Sequence, residues 1–242
     1  MDLSYKLACY AYDVAGDWEA MAVKIKNNED VFCYEIKEKY VTIADSEYPQ
    51  TLRQLRYPPW VLFYEGDIAL LNKRAISVVG SRNITAYGAW CTEKICQRLG
   101  KKYVLVSGLA KGVDALVHQV GIEIGKTIAV LGCGLSVCYP RDNEKLFKKM
   151  KQEQLVISEY PQNTSPQRHH FPWRNRIVAA LGEKCIVTQA RFHSGTMISV
   201  NYALELSKEV YCVPYPIGEK QGEGCNLLIQ QGANLIVEVD NF

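Results

Sequence analysis

From residue 75 onward the chain alternates short apolar runs with helical patterns, and nothing else in it constrains the fold as strongly. The runs fall at 75–79, 103–106, 127–131, 155–157, 185–187 and 210–213. Between them lie stretches such as YGAWCTEKICQRLG (87–100) and VDALVHQVGIEIG (113–125). Strand, loop and helix in repeated succession predict an α/β fold, a mostly parallel sheet covered by helices on both faces. Strands buried on both faces need not alternate in polarity, which fits these unbroken apolar runs.

The preceding residues read differently. In 1–45, Leu3, Leu7, Tyr10 and Val14, then Trp18, Met21, Ala22 and Ile25, recur at helical spacing. Asn27 and Asn28 offer a stop before Val31, Phe32 and Ile36, so this region is expected to form a short helical appendage. Residues 46–74 contain Pro49, Pro58 and Pro59, which forbid a continuous helix, and an apolar run at 60–64 suited to a sheet edge. They are expected to form a linker with an edge strand, leaving 75–242 as the main domain.

A chain of 242 residues, 48% hydrophobic and 22% charged, is long enough for one domain with a buried core and is not a disordered tail. No run approaches the roughly 18 apolar residues of a membrane span, and Asp2, Lys6 and Asp13 interrupt the N-terminus where a signal peptide would be apolar. A cytoplasmic protein without membrane contact is expected. The nine cysteines include no C-x-x-C pair and read as small buried hydrophobes. Cys133 and Cys138 with His169 and His170 have the wrong spacing for zinc, and neither metal nor cofactor is expected.

Each strand is followed by a loop rich in Gly, Ser and basic residues: GSRN (80–83), SGLAKG (107–112), GCG (132–134) and TQARFHSGT (188–196) among them. In open α/β folds these loops line the crevice that binds ligands, and glycines, helix-start N–H groups and arginines suit phosphates. Neither the G-x-G-x-x-G dinucleotide fingerprint nor the G-x-x-x-x-G-K-[ST] loop of nucleoside triphosphatases is present. Ser107, Asp114 and His118 lack the elbow of a nucleophilic triad, and Asp114 suits a first-turn carboxylate complementing the helix dipole. Glu159 could act as a base or hydrogen-bond nearby backbone. Ser194 or Thr196 could cap the following helix or, with its N–H groups, hold a phosphate.

The segment RHHFPWRNR (168–176) is the most telling. No acidic residue lies between Glu159 and Glu183, while arginines and large aromatics interleave. Bases stack on rings at about 1–3 kcal/mol each and guanidinium groups pair with phosphates, so this pattern suits single-stranded nucleic acid; arginines on a solvated helix face would look the same. The net charge of +2 conceals an uneven distribution: residues 1–67 carry 7 Lys/Arg and 12 Asp/Glu, 68–112 carry 8 and 1, and 113–242 carry 13 of each. The basic stretch and the acid-free stretch are expected to share one groove.

In order, GSRN, SGLAKGVDALVH, FPWRNRIVAAL, HSGTMISVNYALEL, VYCVPYP and CNLLIQQGA resemble the DprA/Smf family of DNA-processing proteins over about 48–236. The resemblance implies an extended Rossmann-like fold, a homodimer, and a binding protein, not an enzyme, that protects incoming single-stranded DNA and loads RecA recombinase in natural transformation. It places Gly80, Ser81 and Arg82 in the DNA pocket, with Ser107, Gly108 and Lys111 from the second loop. Arg174, Asn175 and Arg176 would join them, with Ser194 and Gly195 supporting the floor. Gln189-Ala190 and Pro214-Tyr215 depart from the family's frequent Glu-Ala and Pro-Gly. The N-terminal region is shorter than the family's usual helical domain, and no C-terminal winged-helix domain is expected. Two alternatives are a Rossmann-like nucleotide phosphoribohydrolase, whose Pro-Gly-Gly-x-Gly-Thr pattern is lacking, and a nucleotide-sensing module.

Overall fold

Asp2 and Asp17 each start a helix. Asp2 accepts a hydrogen bond from the Tyr5 N–H at 3.4 Å and Asp17 from the Ala20 N–H at 2.8 Å, capping α1 (Leu3–Asp13) and α2 (Trp18–Lys26). In this computed structural model, which describes residues 2–238, the helical pattern then ends. The expected boundaries at Met1 and Phe242 lie outside the described residues. Residues 29–38 have no regular element, and β1 (Lys39–Thr42) lies where a helical appendage was expected. After the short α3 (Gln50–Arg53), β2 (Val61–Gly66) follows the two prolines. β2 is not at the sheet edge: β1 pairs antiparallel outside it, Val41 opposite Leu62.

The remaining elements follow the βα rhythm of the sequence: β3 (Ala75–Gly80), α4 (Ala86–Leu99), β4 (Val104–Ser107), α5 (Val113–Ile124), β5 (Thr127–Val130), α6 (Glu144–Glu153), β6 (Leu155–Ser158), α7 (His170–Leu181), β7 (Cys185–Gln189), α8 (Gly195–Glu205), β8 (Val210–Cys212), α9 (Glu223–Gln230) and β9 (Asn234–Leu235). One sheet contains all nine described strands in the order β1-β2-β6-β5-β4-β3-β7-β8-β9. From β6 to β9 every pairing is parallel; β2 joins β6 antiparallel.

The two faces are covered by different helices. Leu7 and Tyr10 of α1 and Phe147 and Met150 of α6 pack on Phe63, Ala129 and Val156. Leu52 of α3 and Ile177 and Ala180 of α7 belong to the larger cluster with Leu62, Val130 and Ile157. Consecutive strand residues thus point to opposite layers, and both layers are apolar, which explains the unbroken runs. Strand order reverses at β3: β4, β5 and β6 build outward on one side, β7, β8 and β9 on the other. That switch point opens a crevice beyond the carboxyl ends of β3 and β7.

Candidate nucleic-acid interface

A cavity of about 290 Å³ fills this crevice, lined by the loop after β3, the loop after β7 and the first turns of α7 and α8. The β3 loop is held by backbone and by one amide. Ser81 N–H donates to the Gln189 carbonyl at 2.8 Å, and the Ser81 hydroxyl bonds both Asn83 N–H and its carbonyl at 3.1 Å. Gln189 Oε1 accepts from Thr85 N–H at 2.9 Å while its Nε2 donates to Asn83 O at 2.9 Å. This use of both amide ends suits Gln189, where a carboxylate would have no donor for Asn83. Gly80 lets Val113 close in: a Cβ there would lie 2.6 Å from Val113 Cγ2.

Arg82 projects from this loop, exposed, 5.8 Å above the Phe171 ring, and makes no ion pair among the described residues. Asn175 also lines the cavity, and Gly195 begins α8 there with open space at its Cβ position. Ser194 holds the N-cap position of α8 yet makes no capping bond, and its Oγ is inaccessible and without a partner among the described residues. The first-turn N–H groups of α8 therefore lack a side-chain acceptor, as a phosphate-binding helix start requires. Arg191, exposed on the same loop, completes the rim. It was not singled out from the sequence, although an arginine in the TQARFHSGT loop, directly after a strand, was the signal available.

The remaining expected residues have other work. Ser107 is fully buried and donates to Val78 O at 2.7 Å, so it ties β4 to β3 beneath the crevice. Gly108 does line the cavity, where a Cβ would lie 2.5 Å from Arg174 Nη2. Arg174 is only 3% exposed. Its Nη1 donates to Gly108 O at 2.7 Å and to Val130 O, and burial lowers its proton affinity against the opposing pull of Asp114. It forms the crevice floor, with Nη2 alone of its guanidinium nitrogens free of a hydrogen bond among the described residues. Lys111 is exposed but ion-paired to Asp142, and lines the adjoining 80 Å³ recess that shares Arg82, Phe171 and Arg174 with the main cavity.

Arg176 requires a correction. It lies outside the crevice lining, 1% exposed, with its guanidinium bonded to both oxygens of Glu159 and stacked 4.2 Å from the Trp173 centroid. A charge taken from water needs a partner, and Glu159 supplies it. The basic stretch 68–112 is likewise divided. Lys73, Arg74, Lys101 and Lys102 precede β3 and β4 and stand at the opposite end of the sheet, with Arg74 paired to Glu183; Arg82 and Lys111 alone of its eight basic residues lie at the crevice. The shared groove is therefore narrower than the charge count suggested. Ser107, Asp114 and His118 form no triad: the Ser107 hydroxyl serves Val78, His118 Nδ1 lies 2.7 Å from Thr127 Oγ1, and Asp114 accepts from Ala110 N–H at 3.3 Å.

A doubly wound sheet with a Gly/Ser/Arg crevice at its switch point defines a Rossmann-like protein suited to an anionic ligand. The family model for DNA recombination-mediator protein A matches residues 39–242, and the chain belongs to that family, the DprA/Smf proteins of DNA processing and recombination. It is 41% identical over 205 residues to the DNA processing protein DprA of Bacillus subtilis, covering 84% of this chain and 69% of the relative. The X-ray structure of DprA from Streptococcus pneumoniae superposes with a TM-score of 0.84 at 36% identity, over 97% of this chain and 89% of that one. DNA processing protein A from Helicobacter pylori, whose structure addresses a single-stranded DNA binding mode, superposes at 0.78 and 32% identity, over 85% of this chain and 94% of that one.

Proposed function

We propose that the crevice binds single-stranded DNA without sequence preference, and that the protein acts without catalysis in the cytoplasm, protecting incoming DNA and loading a RecA-type recombinase during natural transformation. The observation that carries this reading is the meeting of Arg82 and Arg191 with the uncapped start of α8 around one cavity. The single-stranded DNA binding named for the Helicobacter pylori relative supports it. No helix among the described residues is long and apolar enough to cross a membrane. Leu235 and Val237, exposed beside Trp90 at the β9 edge, support a homodimer formed there.

A phosphoribohydrolase needs a free carboxylate near the sugar. Glu159, the candidate base, is spent on Arg176, which favours binding over hydrolysis. A salt titration of single- and double-stranded oligonucleotides tests the reading. Preference for single strands, with a log-log slope of about −0.7 per neutralised phosphate, is expected. Tight mononucleotide binding without oligonucleotide preference would favour a nucleotide sensor instead, and base release from a nucleoside monophosphate an enzyme.

A further inference from the structure

A second cavity lies on the other side of the α7 start from the crevice. It measures about 430 Å³ and opens between the α1–α2 turn and the residues around Tyr160 and Trp173. Its character is opposite to that of the crevice. Asp17, Glu19 and Gln167 line it, and no lysine or arginine does. His170, on the same wall, is held neutral by burial, which lowers its pKa, with Nδ1 3.1 Å from Gly132 O.

The aromatic walls are fixed from behind. Trp18 stacks on Trp60 at 5.2 Å and 24°, and its Nε1 donates to Pro58 O at 2.7 Å. Tyr160 stacks on His170 at 4.0 Å. Trp173 is backed by Tyr57 at 5.5 Å and by the Arg176 guanidinium. The turn that carries Asp17 is seated firmly: Gly16 has φ +79°, and a Cβ there would lie 2.8 Å from Glu159 O. Asp17 uses one oxygen to cap α2, and Glu19 forms no ion pair among the described residues.

These features suit a planar cation. Indole faces attract guanidinium by stacking and by their quadrupole, and carboxylates receive its fork of N–H groups. The chain already contains that arrangement, since Arg176 lies between the Trp173 ring and the Glu159 carboxylate. The cleft offers Trp173, Trp18 and two carboxylates with no arginine among them. We propose that it binds an arginine side chain presented by a partner protein. The cleft shares no lining residue with the DNA crevice, and the inference does not depend on the DNA reading.

The test uses the full chain with 15N-labelled tryptophan and the peptide acetyl-Gly-Arg-Gly-Arg-Gly-amide, compared with its citrulline counterpart, a neutral isostere. Saturable shifts of the Trp18 and Trp173 indole resonances are expected with the arginine peptide, at least tenfold weaker with citrulline. Asp17→Asn with Glu19→Gln should weaken the peptide at least tenfold and leave oligonucleotide affinity unchanged. Asn still caps α2; should the pair fail to fold, Glu19→Gln alone at an exposed position must lower affinity in the same direction. Equal response to citrulline, no response at all, undiminished binding by the variants, or dGMP saturating the same resonances as a base pocket would, each overturns the proposal.

Discussion

Arg176 and Glu159 hold each other by both ends: Nη1 and Nη2 lie 2.5 and 2.8 Å from the two carboxylate oxygens, while Nε donates to Tyr57 O at 2.9 Å. The pair joins α7 to the end of β6 and to the segment before β2. Removing one partner of a buried pair leaves an uncompensated charge, so Arg176→Met should cost about 3–5 kcal/mol of stability. A urea titration reads that loss. Oligonucleotide affinity of the folded fraction should stay within about twofold, a difference of under 0.5 kcal/mol; a large drop at full folding would return Arg176 to the DNA site.

Arg82 stands at the opposite extreme, exposed and without an ion pair among the described residues. Arg82→Glu should weaken homopolymeric and mixed single strands equally, and the magnitude of the salt slope should fall by about 0.7 for each phosphate that Arg82 neutralises. Sequence-selective weakening would mean that Arg82 reads bases.

Lys111 is held by Asp142 on the rim of the recess. Because a surface pair of this kind contributes about 0.2–1 kcal/mol, freeing the lysine should tighten DNA binding by about 1.4- to fivefold. Asp142→Asn is the variant, and fluorescence anisotropy at low salt the measurement. No change would place Lys111 outside the DNA path.

The contrast between Arg174 and Arg176 shows where sequence reading ends. The strands from 75 onward were legible because burial on both faces demands continuous apolar runs, and the crevice followed from the loops after them. Two arginines in one motif, both buried in the fold, carry no mark of which one floors the crevice: Arg176 is turned away to Glu159, 17 residues distant, reached only once α7 docks against β6. β1 was illegible for a related reason. KYVT is four residues long, and its pairing with β2 is a tertiary choice. Charge counts misled because a strand carries the chain from one end of the sheet to the other, so β4 divides Lys101 and Lys102 from Lys111.

Gly112 packs the loop after β4 against the loop after β3. Its φ is +75°, and a side chain would strike the carbonyls of Ser81 and Arg82, the former accepting from Val113 N–H at 3.1 Å. Gly112→Ala adds strain of about 1–3 kcal/mol and pushes the β3 loop outward. Lower thermal stability together with weaker oligonucleotide binding is expected; loss of stability alone would show that the loop geometry does not set affinity.

His118 makes stability depend on pH. Thr127 Oγ1 donates to Leu105 O at 2.8 Å, so in its 2.7 Å contact with His118 it accepts, and Nδ1 carries the proton of the neutral ring. Nε2 is buried without a partner among the described residues. Burial foremost, aided by the charge of Arg174, pushes the imidazole pKa down to about 3, against about 6.5 in the unfolded chain. As pH falls through 6.5 only the unfolded chain takes up the proton, so stability is full above that value and is lost progressively toward pH 3. By pH 5 the accumulated loss is about 2 kcal/mol, the slope rising toward about 1.36 kcal/mol per unit below pH 6.5. Asp114, its carboxyl pushed up by burial, acts in the opposite sense, since its protonation favours the folded state as pH falls toward the ordinary carboxylate range. His118→Gln should lower stability at pH 7.5 yet flatten the decline between pH 7 and 5, measured as urea midpoints. An unchanged slope in that variant would assign the acid sensitivity to another group.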